Sequence, residues 1–342
     1  MKPAYSIRAN GKDVTKTFLP YLMSISTRDE SKDEADSLTI VLDNSRTALV
    51  APVQGDQLEL LLGYEGNLTS VGIFTVDKSS FTGPPDTLTI QCKSAAFVNP
   101  AFNKLQRNFL ERKTRSWEPS SILTIAKKIA SEHGVELQAD PVLLYMPTPH
   151  LDQTEEGDTG FLYRVLSPRG YIIKIANNKL IILKRSAGLS VNSNGIALPI
   201  VNLNRNEVTN YSGEWTDRSV FDKAISFWHD PTTGLVRYES AGTGKRVFRF
   251  KNQAPDQKTA QDWATSVLKQ SQGEGGKMSI SMPGRADLQS EQRITLTGFP
   301  YPLSESPSKD AIAKEWIIKS ITHSFTSTGF TTSISGEPFI AL

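Results

Sequence analysis

The stretch 149–158 (PHLDQTEEGD) carries the densest set of side chains that could do chemistry, one histidine and four carboxylates within ten residues. Histidine and carboxylate side chains are ligands for transition metals. Two carboxylates at a fixed separation can also serve glycoside cleavage, provided that one of them has a raised pKa. Glu155 and Asp158 are one pair that could be placed in this way, although nothing in the sequence singles them out.

The same stretch can instead open a helix. Thr154 has the right side chain for an N-cap, and Glu155, Glu156 and Asp158 then lie in the first turn, where negative charge interacts favourably with the helix dipole. The spacing favours this helix start over a metal or acid/base site. It predicts that Glu155→Gln or Asp158→Asn loses no chemistry and at most about 1 kcal/mol of stability.

The remaining candidates for chemistry are weaker. The four histidines, at 133, 150, 229 and 323, form no HExxH pair, and the sequence contains no GxSxG or Walker-type loop. His133 precedes Gly134 and is predicted to end a helix and to contact its free carbonyls. The single cysteine, Cys92, lies in a strand-like run and is predicted to be buried. We therefore predict no catalytic, cofactor-binding or metal-ligating residue, no cofactor, and a protein that is not an enzyme.

Composition narrows the class of protein. The chain has 342 residues, 38% hydrophobic and 22% charged, which is typical of a globular protein with two or three domains. No apolar run is long enough to span a membrane, and the N-terminus lacks the apolar core of a signal peptide, so synthesis in the cytoplasm is expected. The net charge of +2 does not suggest a nucleic-acid partner. The basic stretch 104–115 is interpreted as a solvated linker, with a polyanion contact as the less favoured alternative.

The order of elements predicts three units. Residues 1–108 contain strands with turns about every ten residues, among them Asn10-Gly11, as in an antiparallel sandwich or barrel. Residues 109–187 form a small α+β unit. Its two helices show apolar residues at helical spacing, and a hairpin follows them. The apolar positions are Ile122, Ile125, Ala126, Ile129 and Ala130 in the first helix and Phe161, Leu162, Val165 and Leu166 in the second.

Residues 188–342 return to strands, with one embedded helix near 255–270. The run 271–276 has three glycines in its last four residues and is predicted to be flexible. Trp215, Phe227, Trp228 and Trp263 are predicted to be core residues. The fold class is thus mainly β with an α+β insertion, two outer β-units flanking a small middle unit.

A series of phrases, in order along most of the chain, resembles the phage late control gene D family, the baseplate hub proteins of contractile tails. This family is related in fold to the hub part of type VI secretion spike (VgrG) proteins. One departure is Ser167-Pro168-Arg169, which predicts a shorter second helix than the family pattern suggests. The phrases are 55–60 (GDQLEL), 62–64 (LGY), 72–77 (GIFTVD), 83–85 (GPP), 113–117 (KTRSW), 129–134 (IASEHG), 150–154 (HLDQT), 282–288 (MPGRADL), 294–299 (ITLTGF), 315–316 (EW) and 323–324 (HS).

The resemblance implies a structural role. It implies a homotrimer in which two tail-tube-like β-domains per protomer form a ring with pseudo-sixfold symmetry. One face of this ring would meet the sixfold tail tube and the other the trimeric central spike, alongside other baseplate proteins. The particle would be a phage tail or a phage-tail-like bacteriocin, and nothing resembles a sequence-specific reader of nucleic acid. Two alternatives stay open at this point. One is a hub that also cleaves peptidoglycan with its middle unit, and the other is a binding module for a carried effector or a partner protein.

Overall fold

The computed structural model describes residues 2–30, 36–46, 49–93, 109, 111–176, 179–184, 198–216, 220–300, 303–304 and 315–339. We call residues 2–93, 109–184 and 198–339 the N-terminal, middle and C-terminal regions. Strands dominate the first and last, and the middle region combines helices with short sheets. The predicted fold class, mainly β with an α+β insertion, is confirmed. The unit boundaries at 108/109 and 187/188 involve residues outside the described ranges, so the exact division stays a prediction.

The N-terminal region builds its strands from alternating apolar residues. Leu58, Leu60 and Leu62 are buried on one face of a strand, as expected when successive side chains point to opposite sides. Asn10 and Gly11 have φ angles of 48° and 81° and form the predicted tight turn. Cys92 is buried, as predicted. The elements are β1 (Pro3–Ala9), β2 (Lys12–Asp13), α1 (Thr15–Phe18), β3 (Leu22–Glu30), β4 (Ser37–Asp43), β5 (Gln57–Tyr64), β6 (Asn67–Thr82) and β7 (Thr87–Lys93).

The middle region contains both predicted helices. The Ser121 side chain accepts a hydrogen bond from the Thr124 N–H at 3.2 Å and starts the first helix, and Gly134, with φ 65°, follows its end. The second helix is short, as predicted, and Gly170 at φ 82° ends the 3-10 turn after it. The elements are β8 (Lys113–Trp117), β9 (Ser120–Ser121), α2 (Ile122–Glu132), β10 (Glu136–Ala139), β11 (Pro147–Thr148), β12 (Leu151–Glu156), α3 (Asp158–Leu166), β13 (Tyr171–Ala176) and β14 (Lys179–Lys184), with 3-10 turns at Pro141–Tyr145 and Ser167–Arg169.

The C-terminal region has the predicted embedded helix. Asp256 caps it by accepting a hydrogen bond from the Thr259 N–H at 2.8 Å. The elements are β15 (Val201–Asn204), β16 (Asn210–Trp215), β17 (Lys223–Asp230), β18 (Leu235–Gly242), β19 (Val247–Arg249), α4 (Gln257–Gly273), β20 (Gly276–Pro283), β21 (Arg293–Thr297), β22 (Glu315–Thr326) and β23 (Gly329–Pro338), with a 3-10 turn at Arg205–Glu207.

One sheet of 13 strands joins the two outer regions. Its order is β16-β20-β23-β22-β3-β4-β7-β6-β5-β1-β2, with β21 attached to β22 and β15 to β21. The junction is the antiparallel pair of β3 and β22, in register from Ser24↔Thr326 to Glu30↔Ser320. Phe325 and Phe330 of the C-terminal region pack into the apolar core of the N-terminal region, and a second apolar core lies within the C-terminal region. In the described part of the chain, no helix is long and apolar enough to cross a membrane.

Two predictions about the C-terminal region are wrong in whole or in part. Trp215 packs against the C-terminal core as predicted, but Phe227, Trp228 and Trp263 are only partly buried. The small sheet β18-β17-β19 has α4 on one face, so only alternate residues of β17 are covered. The run 271–276 is ordered, because α4 continues to Gly273 and β20 begins at Gly276.

The last two glycines of this run, Gly275 and Gly276, allow close packing. A Cβ atom added at Gly276 would lie 2.8 Å from Pro338 Cγ, and one at Gly275 would lie 2.9 Å from Val220 Cγ2. A Cβ at Gly273 would instead stand at an ordinary 3.5 Å from Glu337. The backbone can therefore turn from α4 into β20 because residues 275 and 276 have no side chains.

This packing predicts opposite effects for two neighbouring substitutions. Gly276→Ala should lower the free energy of unfolding by about 1–3 kcal/mol, because the new methyl group meets a rigid proline ring. Gly273→Ala, the matched control, should be neutral or gain up to about 1 kcal/mol, because alanine favours the helix. Denaturant unfolding followed by circular dichroism measures both. Equal midpoints for the two variants would contradict the close packing.

Candidate functional site

The stretch 149–158 does not start a helix in the way the sequence predicts. Residues 151–156 form β12, which pairs antiparallel with β8, with Gln153 opposite Arg115 and a bulge before Glu156. Glu155 takes up the bulge with φ 50°, and Gly157 is the N-cap of α3. Thr154 is therefore no cap, and Glu155 and Glu156 precede the helix. Of the predicted first-turn acids, only Asp158 lies in the first turn.

Asp158 is fully buried and meets four hydrogen-bond donors. Its Oδ1 atom lies 2.6 Å from Arg115 Nη2 and 2.8 Å from Gln153 Nε2. Its Oδ2 atom contacts Lys113 Nζ and lies 2.7 Å from His133 Nε2. The carboxylate thus replaces the water it loses with three cationic or titratable partners and one amide, which is the condition for burying a charge.

A second acid balances the charges around Asp158. Glu132, at the end of α2, accepts hydrogen bonds from Arg115 Nη1 at 2.8 Å and from Lys113 Nζ at 3.2 Å. Lys113 and Arg115 belong to β8 and point into the middle region. The interpretation of 104–115 as a solvated linker is therefore wrong for this part, and residues 104–108 and 110 lie outside the described ranges. We call Lys113, Arg115, Glu132, His133, Gln153 and Asp158 the Asp158 cluster.

The Gln153 amide and two aromatic side chains, Trp117 and Phe109, hold the cluster in place. The Gln153 Oε1 atom accepts hydrogen bonds from Arg115 Nε at 2.9 Å and from Trp117 Nε1 at 3.3 Å. Phe109 stacks on the His133 ring, with centroids 3.6 Å apart. The backbone of His133 ends α2 as predicted, and Nε2 of its side chain binds Asp158.

The electrostatics of the cluster are those of a structural site. Burial alone would raise the pKa of Asp158. Hydrogen bonds from His133, Lys113 and Gln153, with the nearby Arg115 charge, outweigh burial and hold that pKa well below its usual range. A general acid needs the opposite shift and access to a substrate. Glu155, its predicted partner, is exposed and bonds Thr114 Oγ1 at 3.0 Å. The two carboxylates do not face one another across an open site.

The remaining predicted candidates are dispersed. His150 is half exposed and lies 3.2 Å from Asp152, and His229 is exposed. His323 is buried beside Thr332, and burial lowers its pKa to about 4. Among the described residues, no group of three or more histidine, cysteine, aspartate or glutamate side chains is arranged to hold a metal ion.

A second buried ion cluster joins all three regions. Lys174 of β13 places its Nζ atom 2.5 Å from Asp29 Oδ1 and 2.8 Å from Asp36 Oδ1, both in the N-terminal region. Asp29 also accepts hydrogen bonds from the Ser290 N–H at 2.9 Å and from Ser290 Oγ at 2.6 Å. We call these four residues the Lys174 cluster. It fixes the middle region against the sheet beside the β3–β22 junction.

Two carboxylates share one ammonium group in the Lys174 cluster, and their pKa values move apart. Burial and the neighbouring Asp29 charge raise the pKa of Asp36 to about 7. Burial opposes ionisation of Asp29 too, but Lys174 and Ser290 outweigh it and lower the pKa of that group. The proton that the pair takes up near neutral pH therefore belongs mainly to Asp36.

Most residues of both clusters are not predicted from the sequence. Lys113, Arg115 and Trp117 occur at alternate positions, a pattern that indicates a strand with one shared face. That signal was available in the sequence. Nothing in the local sequence indicates that Lys174 meets Asp29 and Asp36, since these residues come from different regions.

The geometry of the Asp158 cluster corrects the predicted effect of Asp158→Asn. The amide cannot neutralise Lys113 and Arg115, so the variant should lose about 3–5 kcal/mol of unfolding free energy at neutral pH. Because the folded-state pKa is depressed, this stabilisation is present above the unfolded-state pKa and is lost as the pH falls. The difference in unfolding free energy between wild type and variant should therefore become smaller below about pH 4.

Glu155→Gln is the matched control for that experiment. It removes an exposed carboxylate three residues away and should cost at most about 1 kcal/mol. Urea unfolding at several pH values measures both variants. A loss for Asp158→Asn no larger than the control would show that the buried carboxylate is unimportant for stability.

The Lys174 cluster predicts a pH dependence of the opposite sign. A raised pKa means that the contribution of Asp36 is fully present below its unfolded-state pKa and is lost as the pH rises through about 7. Asp36→Asn cannot ionise and still offers an oxygen to Lys174. As the pH rises from about 5 to about 8, the unfolding free energy of this variant should increase by about 1–2 kcal/mol relative to that of wild type.

Asp77→Asn, which removes an exposed aspartate of β6, serves as the control and should show no such trend. Thermal or urea unfolding across this pH range gives the comparison. A constant difference between Asp36→Asn and wild type would mean that Asp36 does not titrate in the folded protein near neutral pH.

Relatives and solved structures resemble this chain along nearly its whole length. A protein of Escherichia phage 186 named "Probable baseplate hub protein" is 27% identical, covering 98% of this chain and 93% of the relative. The 43 kDa tail protein of prophage MuSo2 from Shewanella oneidensis shares the fold, with a TM-score of 0.70, 14% identity and 98% of each chain covered. An E. coli component of the type VI secretion system, described as similar to T4 tail proteins, gives a TM-score of 0.57 at 12% identity, over 98% of this chain and 77% of that one.

A family assignment rests on the sequence profile. The profile of the phage tail baseplate hub (GPD) family matches residues 89–329, more than half of the chain. It spans the middle region with the Asp158 cluster and most of the C-terminal region. The resemblance inferred from the sequence phrases is confirmed. The chain therefore belongs to the phage tail baseplate hub family.

Proposed function

We propose that this protein is the structural hub of a contractile-tail baseplate, a homotrimer that adapts a sixfold tail tube to a threefold central spike. The observation that carries the proposal is the sheet of 13 strands, in which the N-terminal and C-terminal regions lie side by side across the β3–β22 pair. Three such chains bring six β-regions into one ring. A sixfold tube can then dock on one face, while the three chains keep threefold symmetry for the spike.

The partners follow from this role. They are two further copies of the chain, the tail tube proteins, the trimeric spike and other baseplate proteins. The protein is made in the cytoplasm of the bacterial host and becomes part of a phage tail or of a phage-tail-like bacteriocin. Its work in the particle is to hold parts in register and to transmit force, which requires a rigid junction between regions. The Lys174 cluster, which ties the middle region to both outer regions, supports such rigidity.

Peptidoglycan cleavage by the middle region has no support in the geometry. Asp158 is buried and ion-paired, and Glu155 is exposed and separate from it. The non-enzymatic role agrees with the name of the phage 186 relative, "Probable baseplate hub protein".

Particle assembly and mass test the proposed hub. Native mass spectrometry of the purified chain should give three times its 37.7 kDa mass. Deleting the gene from its host phage or bacteriocin cluster should abolish complete tails in electron micrographs, and the wild-type gene supplied in trans should restore them. Tails that assemble without the protein would contradict the hub role. Turnover of purified cell wall by the isolated chain would contradict the non-enzymatic role.

A further inference from the structure

The middle region presents a rigid apolar surface to solvent. In the 3-10 turn Pro141–Tyr145, the side chains of Val142, Leu144 and Tyr145 are 52%, 50% and 75% exposed. Leu143 between them is fully buried, and Asp140 caps the turn by accepting a hydrogen bond from the Val142 N–H at 3.0 Å. We call Val142, Leu144 and Tyr145 the apolar turn. Rigid, exposed aromatic and aliphatic groups are typical anchors of protein interfaces.

The C-terminal region has a second uncovered apolar surface, on the sheet β18-β17-β19. Ala224 is paired with Ala241 and with Phe248, and these three pack with the α4 residues Ala264 and Leu268 on one face.

Strand alternation puts the neighbouring residues of β17 and β18 on the opposite face. Phe227 and Tyr238 are paired there, with ring centroids 6.2 Å apart, and Tyr238 and Val236 are 67% and 50% exposed. Ile225 of β17 lies on the same face. We call Ile225, Phe227, Val236 and Tyr238 the open sheet face.

Helix α4 separates the two surfaces. On the side of the middle region, Thr259 accepts a hydrogen bond from Arg169 Nη2 at 3.0 Å, and Ser266 packs against Gly170. On the side of the sheet, Ala264 and Leu268 contact the strands. At 100° per residue, these two pairs lie on opposite sides of the helix. The open sheet face therefore points away from the middle region of its own chain, and the apolar turn can reach this face only on another copy.

The charges around the two surfaces are of opposite sign. Residues 136–152, which contain the apolar turn, carry three carboxylates and no lysine or arginine. One of the three, Glu136, also pairs with Lys179. On the open sheet face itself, strand alternation places Lys223 and also Arg249, which is paired with Ile225, whereas Arg237 and Glu239 lie on the α4 face and Arg246 pairs with Asp222. The two surfaces therefore attract one another, whereas two copies of the same surface repel.

We propose that the apolar turn of one protomer docks on the open sheet face of the next, and that this contact closes the ring of three. The inference rests on the proposed function, because it names the contact between copies that a homotrimer requires. A threefold ring needs a heterologous interface, in which two different patches of the same chain are complementary. The apolar turn and the open sheet face meet this requirement. Both expose apolar groups, their charges are opposite, and the sheet face points away from the middle region of its own chain.

Two single variants of the full chain test this contact. Tyr145→Lys puts a cation on the turn that faces the basic sheet, and Tyr238→Glu puts an anion on the sheet that faces the acidic turn. Each should weaken association at least about 30-fold, seen in sedimentation velocity as a shift from trimer to monomer. Both positions are exposed, so the circular dichroism spectrum should stay that of wild type. Phe81→Glu, at a 57% exposed residue of β6, is the control and should stay trimeric.

Mixing the two variants gives the sharper result. The Tyr145→Lys chain keeps an intact open sheet face, and the Tyr238→Glu chain keeps an intact apolar turn. Together they can form one wild-type contact, so the mixture should give one-to-one dimers that neither variant forms alone. No contact of like patches produces this pattern.

Three outcomes would overturn the proposal. Trimers that persist in both variants would show that the docking contact is wrong while the homotrimer stands. Dissociation without recovery of dimers in the mixture would show that the two tyrosines do not face one another. A wild-type chain that is monomeric under the same conditions would contradict the proposed trimeric hub itself.

Discussion

The architecture depends on the backbone pairing of β3 with β22. Each of these strands would otherwise present a row of unsatisfied N–H and C=O groups at the edge of its own sheet. Their pairing satisfies these groups and sets the N-terminal region beside the C-terminal region in one sheet. It also brings Asp29, on β3, within hydrogen-bond distance of Ser290, which precedes β21. The C-terminal region thus contributes Ser290 to the Lys174 cluster because strands from the two ends of the chain are adjacent.

Buried charge positions the middle region. Lys174 reaches the β3–β22 junction from β13, and Arg169 reaches α4 from the turn after α3. Taking a cation out of water is costly unless it finds partners, so the ion pairs of Lys174 with Asp29 and Asp36 favour one relative placement of the middle region. Inside the middle region, the Asp158 cluster works in the same way. It locks the end of α2, the start of α3 and the strand β8 around one carboxylate. Its depressed pKa keeps this buried carboxylate ionised, so it acts as a fixed charge at neutral pH.

The surfaces that the chain leaves open are as informative as its cores. Tyr145 and Tyr238 are exposed in the single chain, although burying a large apolar side chain would contribute about 1.5–3 kcal/mol of stability. Here both are presented by rigid frames, a capped turn in one case and a sheet backed by α4 in the other. Exposed apolar groups on rigid frames are typical of surfaces that contact other proteins. This arrangement agrees with membership of a family of baseplate components.

The sequence by itself determined the features that depend on near neighbours. Alternation fixed the faces of β5, helical spacing fixed the buried side of α2, and Gly134 and Gly170 ended helical segments where a left-handed residue was needed. Only the tertiary structure decided the rest. Residues 151–156 resemble a helix start until β8 pairs with them, the glycines at 273–276 suggest flexibility until Pro338 and Val220 pack on them, and Lys113 and Arg115 suggest a solvated linker until Asp158 faces them. In each case the deciding contact comes from a partner distant in sequence, and local propensities of a few tenths of a kcal/mol to about 1 kcal/mol yield to it.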